Sequence, residues 1–167
     1  REEWALARKI LAFTQLTAQD SIRTSSLLTG FLRNGQTSKE QAEVIKRVLP
    51  HGFAVITGGP GTGKTSTVAK LLECALDNKT DAVIGLAAPT GKASGRVMES
   101  VLSTLDNASD KKLFSHLSKA RQEGRLKART IHKWLVSPTS AGTRPSKTNP
   151  LEVDYLVVDE ASMIDLH

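Results

Sequence analysis

Apolar residues recur along this chain in two rhythms. The first is helical. Trp4, Leu6, Ala7, Ile10, Leu11 and Phe13 form one stripe and Leu27, Leu28, Phe31 and Leu32 another, so residues 1–33 read as helix. Asn34-Gly35 marks a turn, and a further helix runs from about Ser38 to Leu49 and stops at Pro50. From residue 53 the rhythm changes to short unbroken apolar runs between amphipathic stretches. Phe53, Ala54, Val55 and Ile56 predict a strand over 53–57, residues 64–77 a helix, and Ala82 to Ala87 a second strand. Pro89-Thr90-Gly91 breaks that strand, and a helix follows to about Leu105. Residues 110–123 predict another helix, with Leu113, Phe114, Leu117 and Ala120 on one face. Thr130 is placed to N-cap a short helix, Ile131 to Val136. Residues 137–150, with Pro138, Pro145 and Pro150, read as an exposed loop, and Tyr155 to Val158 as the last strand.

Strands that are apolar throughout suit a mainly parallel sheet with helices on both faces, an α/β fold. Residues 1–35 read as a helical segment ending a preceding domain, and residues 36–167 as the α/β domain itself. The chain starts at Arg1 and stops at His167, just past an apolar run, which reads as a piece of a longer protein.

Between the first strand and its helix stands Gly58-Gly59-Pro60-Gly61-Thr62-Gly63-Lys64-Thr65. Strand, glycine loop and helix in that order form a phosphate-binding loop. Its glycines let the backbone wrap a polyphosphate, and its N–H groups and the helix N-terminus face negative charge. Lys64 is expected to reach the β- and γ-phosphates of ATP, and Thr65 to place its hydroxyl on Mg²⁺. The predicted fold is thus a P-loop NTPase (RecA-like) domain. The final strand delivers Asp159-Glu160 at its carboxyl end. Asp159 is expected to hold Mg²⁺, and Glu160 to act as general base on the attacking water; the alternative is that this pair only caps the next turn. Gln41 has two readings. It can bind adenine through its amide, or it can serve the capping box Ser38-Lys39-Glu40-Gln41.

Composition narrows the picture. The formal net charge of the 167 residues is +6, which agrees with a nucleic-acid partner. Lys111, Lys112, Lys119, Arg121, Arg125, Lys127, Arg129 and Lys133 crowd one stretch against Asp110 and Glu123, and such a run attracts phosphates without reading sequence. Aromatics are scarce, so stacking platforms for bases are few. No apolar stretch approaches the ~20 residues of a membrane span. The single cysteine, Cys74, is expected in the core, and a cytoplasmic setting fits.

Four blocks in order carry a family resemblance: Thr57 to Thr65, Ala87-Ala88-Pro89-Thr90-Gly91-Lys92-Ala93, Thr130-Ile131-His132, and Leu156-Val157-Val158-Asp159-Glu160-Ala161-Ser162-Met163-Ile164-Asp165. Over roughly residues 37–167 the chain resembles the RecD family, the alpha subunits of bacterial exodeoxyribonuclease V, superfamily 1 helicases of the 5′-to-3′ group. The resemblance implies an N-terminal motor domain, here ending after the Walker B strand, that couples ATP hydrolysis to movement on single-stranded DNA. It also implies RecB-like and RecC-like partner subunits in double-strand-break repair. Thr90, Gly91, Lys92 and Arg96 would then grip a DNA phosphate, and Thr130 and His132 would add a second contact. Ser94 and Gly95 stand where many relatives have alanines, so a looser helix start is expected. The segments that supply arginines to the transition state are not among these blocks, so residues 1–167 alone are expected to hydrolyse ATP very slowly. A P-loop ATPase of another class, or a non-hydrolysing assembly module, stays open on the residues alone.

Overall fold

The computed structural model describes Arg8 and residues 26–59, 61–136, 142, 144–146 and 148–164. The expected stripe from Trp4 to Phe13, Pro60 of the glycine loop, the start of the proline-rich loop at 137–141, and Asp165 lie outside the described residues. The elements are α1 (Ser26–Arg33), α2 (Lys39–Val48), α3 (Lys64–Asn78), β1 (Ile84–Ala88), α4 (Gly91–Asp106), a 3-10 turn (Lys111–Phe114), α5 (Ser115–Gln122), β2 (Leu126–Thr130), α6 (Ile131–Val136), β3 (Tyr155–Val158) and a second 3-10 turn (Ala161–Met163).

The strands form one parallel sheet in the order β2-β1-β3. Ile84, Leu86, Ala88 and Leu126 point to one face, where Leu72 and Leu76 of α3 and Val97 and Val101 of α4 join them in the core. Leu28 and Phe31 of α1 enter the same core, and the Phe31 ring tilts against Phe114 at 5.0 Å between centroids. Cys74 is buried there as expected.

The opposite face is covered by α6. Trp134 lies over Gly85, and its Nε1 donates to the Leu86 carbonyl at 3.1 Å. A Cβ on Gly85 would stand 2.9 Å from Leu156 Cδ1 and 3.0 Å from Trp134 Cζ2. Glycine is thus what lets Trp134 seat flat against the central strand. Gly85→Ala is expected to cost about 1–3 kcal/mol through overpacking, read as a lower urea midpoint. Over β3 this face stays open, with Leu156 43% and Val158 39% exposed.

Two strand expectations need correction. Residues 53–57, expected to form the first strand, pair with no strand among the described residues, and Val55 is 72% exposed. Apolar composition marks a segment for burial but supplies no ladder partner, and neither outer edge of the sheet takes this one. Conversely, Leu126-Lys127-Ala128-Arg129-Thr130 is a strand that the apolar pattern did not announce. As an edge strand it buries Leu126 inward and keeps Lys127 in solvent, a composition that suits an edge and hides a strand from a search for apolar runs. The helix expected over 110–123 divides at Ser115, where Asp110 Oδ1 accepts from the Lys112 N–H and caps the short turn that precedes α5. Among the described residues, no helix is long and apolar enough to cross a membrane.

Candidate nucleotide site and the carboxyl rim of the sheet

The glycine loop runs directly into α3. Gly61 and Gly63 hold left-handed backbone at φ 74° and 78°, a conformation that costs an L side chain about 1–2 kcal/mol. Gly63 ends the loop with no side-chain cap, and among the described residues no acceptor takes the N–H of Gly61, Gly63 or Thr65. Thr62 braces the loop through Oγ1, which donates to the Gly59 carbonyl at 2.9 Å. A Cβ on Gly58 would lie 2.8 Å from Thr62 Oγ1, so a side chain there would displace the bracing hydroxyl. Lys64 folds back over the loop, its Nζ donating to the carbonyls of Gly58 at 2.6 Å and Gly59 at 2.8 Å. Free N–H groups, an ammonium and the Thr65 hydroxyl at one helix N-terminus suit a polyphosphate and its counter-cation.

Three strand ends form the carboxyl edge of the sheet. Ala88 is in register with Thr130, and Ala87 with Val158. Asp159 continues the ladder through its N–H, which donates to the Ala87 carbonyl at 2.9 Å. The segments that carry Thr130 and His132, then Thr90 and Lys92, then Asp159 and Glu160 therefore leave neighbouring strands in that order at the carboxyl edge, the strands themselves being about 4.8 Å apart.

Each rim position has local causes. Thr90 N-caps α4 through Oγ1, which accepts from the Ala93 N–H at 3.2 Å, while its hydroxyl hydrogen remains for another acceptor. Gly91, Lys92 and Arg96 are exposed. The looser helix start expected from Ser94 and Gly95 does not occur, because Ser94 Oγ donates to the Gly91 carbonyl at 2.9 Å and α4 is continuous from Gly91. Thr130 caps α6 as expected, accepting from the Lys133 N–H at 3.1 Å, and His132 is exposed. Part of the basic stretch is engaged internally. Arg129 stacks on Trp134 at 5.1 Å, and Arg125 pairs with Glu123 at 2.6 Å.

At the acidic pair, Asp159 Oδ1 accepts from the Glu160 N–H at 2.9 Å. Glu160 has φ 51°, the only left-handed non-glycine backbone among the described residues. The Glu160 side chain caps nothing in the turn Ala161–Met163, so the capping alternative has no hydrogen bond behind it. No ion pair joins Lys64 and Asp159 among the described residues; each keeps its own local partners.

Of the two readings of Gln41, the structure describes the capping box. The capping box forms, with Ser38 Oγ accepting from the Gln41 N–H at 3.2 Å. The same side chain lies on the glycine loop, its Nε2 2.7 Å from where a Gly63 Cβ would stand. Sequence reasoning passed over two buried charges on α3. Lys70 is 3% exposed and Glu73 fully buried. Lys70 donates to the Gln36 carbonyl and lies 3.5 Å from Gln41 Oε1. Glu73 accepts from the N–H groups of His116 and Leu117. Both charges stand among the apolar residues of a helix that is buried over most of its length.

A glycine loop on a helix N-terminus and acids at the end of a parallel strand define a nucleotide-binding domain of the P-loop class. The chain belongs to the family described as AAA domain, whose family model matches residues 41–167. More narrowly, it is RecD-like. It is 41% identical over 140 residues to the RecBCD enzyme subunit RecD of Mycolicibacterium smegmatis, covering 79% of this chain and 24% of that one. It is 42% identical over 135 residues to the RecBCD enzyme subunit RecD of Haemophilus influenzae, covering 75% and 20%. With the ATP-dependent RecD2 DNA helicase of Deinococcus radiodurans it shares 34% identity over 127 residues, covering 76% and 14%. The chain thus spans a quarter or less of the length of these relatives.

Proposed function

We propose that these residues are the ATP-binding part of a DNA helicase motor of the exodeoxyribonuclease V alpha type, which couples ATP hydrolysis to translocation on single-stranded DNA in double-strand-break repair and recombination. The observation that carries this reading is the rim. One parallel sheet edge carries the residues of the proposed phosphate grip on two strand ends and an acid pair on the third. A motor needs that adjacency, because a shift at the acids is then one strand away from a shift at the DNA.

In this reading Gly58 to Thr65 cradle the triphosphate through backbone N–H groups, and Lys64 leaves the Gly58 and Gly59 carbonyls to meet the β- and γ-phosphates. Thr65 and Asp159 offer the hydroxyl and carboxylate oxygens that Mg²⁺ takes alongside phosphate and water. When bound, the cation neutralises charge on the phosphates. Glu160 takes the proton of the attacking water. Gln41 faces the base. Thr90, Gly91 and Lys92 hold one DNA phosphate at the start of α4, with Arg96 one turn further, and Thr130 and His132 hold a second site. RecB-like and RecC-like subunits are the expected partners, and the cytoplasm the expected setting.

The test is single-stranded DNA affinity of the intact helicase chain carrying Thr90→Ala, Lys92→Ala or His132→Ala. Each is expected to weaken binding at all sequences alike, and Lys92→Ala to reduce the salt slope by about 1. Unchanged affinity in all three would assign the domain to a P-loop ATPase of another class.

A further inference from the structure

Two arginines stand at β2, and the fold treats them differently. Arg125 is satisfied within the domain. Its Nε and Nη2 donate to Glu123 Oε2 at 2.8 and 2.6 Å, and its Nη1 donates to the Ala82 carbonyl at 2.7 Å. The guanidinium of Arg129, the residue before Thr130, takes part in no hydrogen bond or ion pair among the described residues. What holds it is a ring, for its Cζ lies 5.1 Å from the centroid of Trp134. The ring is itself fixed. Trp134 is buried, lies over Gly85, and donates through Nε1 to the Leu86 carbonyl at 3.1 Å. Register sets Arg129 beside Ala87, one residue short of the strand end where Thr130 stands, and Arg129 is half-buried. Stacking occupies one face of a guanidinium and leaves its in-plane N–H donors, a fork that matches phosphate oxygens.

We propose that Arg129 is a further phosphate contact for single-stranded DNA, and that Trp134 is the positioning residue that holds its guanidinium. The inference rests on the reading that DNA follows the carboxyl edge past Thr130 and His132. A long cationic side chain in solvent loses rotamer freedom when it grips a phosphate. Arg129 has given up part of that freedom against Trp134 before any ligand arrives, so less is lost on binding. The sheet does not need a second cation here, because the exposed Lys127 already keeps this edge charged. An arginine held in place by a ring, with no anion of its own among the described residues, suits an anion supplied from outside. The contact reads charge and not bases, so it acts alike on all sequences. In this arrangement the scarce aromatic near the DNA path carries an arginine and leaves base stacking to others.

The test is single-stranded DNA affinity of the intact protein as a function of salt. Arg129→Gln is expected to weaken binding about 5-fold in roughly 0.1 M salt and to reduce the salt slope by about 0.7, the value for one phosphate neutralised on a single strand. Arg129→Lys keeps the charge without the planar stack. It is expected to keep the slope and to lose about 2-fold in affinity, and it tests the stack without disturbing the core. Trp134→Leu removes no charge, so an effect of net charge alone does not move it. It is expected to weaken binding about 2- to 3-fold beside the native Arg129 and not at all beside Arg129→Gln. Unchanged affinity and slope in Arg129→Gln, with Lys92→Ala and His132→Ala still weakened, overturns the contact and leaves the carboxyl-edge reading in place. Unchanged affinity in all three overturns both. Equal losses from Trp134→Leu with and without Arg129→Gln, or an Arg129→Lys protein that binds like wild type, removes Trp134 from its positioning role.

Discussion

If Glu160 is the general base as proposed, Glu160→Gln is expected to lower the ATPase kcat of the intact protein by about 10²–10⁴, the range that general-base catalysis contributes, and to change the KM for ATP little. The expectation follows from what the side chain is free of. Glu160 is exposed, caps no turn, and stands one residue beyond the aspartate whose N–H closes the β1–β3 ladder. Glutamine preserves its size and its approach to water but cannot take a proton. A second substitution separates chemistry from strain. Left-handed backbone at φ 51° costs a residue with a Cβ about 1–2 kcal/mol and costs glycine nothing comparable. Glu160→Gly is therefore expected to raise the thermal midpoint slightly while losing turnover to the same extent as Glu160→Gln. Phosphate release under saturating ATP and single-stranded DNA, with melting curves of both variants, checks the two expectations together. Wild-type turnover in Glu160→Gln would remove the carboxylate from the mechanism, and a lower midpoint for Glu160→Gly would show that the conformation is held by something the Glu160 side chain contributes.

The local turns and caps of this domain were more legible in the sequence than its sheet. The phosphate loop, the capping box at Ser38, the caps at Thr90 and Thr130, and the acids after β3 each rest on a few consecutive residues, and local rules act at that range. β2 was hidden because an edge strand with Lys127 and Arg129 lacks the continuous apolar run by which β1 and β3 were found. Residues 53–57 erred in the opposite direction. Their composition matches a strand, but strand formation is decided by a neighbour that composition does not supply. The buried charges Lys70 and Glu73 were missed for a related reason. Their partners are carbonyls and N–H groups of distant segments, Gln36 for one and the start of α5 for the other. Side-chain-to-backbone contacts of that kind leave no pattern in a linear reading. They do leave a conflict, in that a charge stands among the apolar residues of a largely buried helix, and such conflicts mark where to look first.

Glu73→Ala is expected to destabilise the domain by about 3–5 kcal/mol, a large share of the ~5–15 kcal/mol by which domains are stable. The carboxylate is fully buried in α3 and serves as the N-terminal cap of α5, a helix more than forty residues away. Oε1 accepts from the His116 N–H at 2.9 Å and faces His116 Nδ1 at 2.8 Å, and Oε2 accepts from the Leu117 N–H at 2.7 Å. Alanine leaves the buried Leu117 N–H and the half-buried His116 N–H without their acceptor, and opens a cavity where α3 meets α5. The group also makes stability depend on pH in a definite direction. Burial raises the Glu73 pKa above its ordinary 4.5, and the hydrogen bonds from His116 and Leu117 offset only part of that rise. An acid whose folded pKa is raised binds its proton more tightly in the folded state. Its contribution is fully present below the unfolded value and is lost as pH climbs through the folded one. From pH 4.5 upward, then, this residue draws the urea midpoint down. Glu73→Gln, which cannot ionise, should remove that slope while costing less than Glu73→Ala, since its amide oxygen still accepts one of the two N–H bonds. Urea midpoints of wild type and both variants across this range decide the matter. A wild-type midpoint that rises with pH relative to Glu73→Gln would mean that the capping N–H groups outweigh burial and hold Glu73 below its ordinary range.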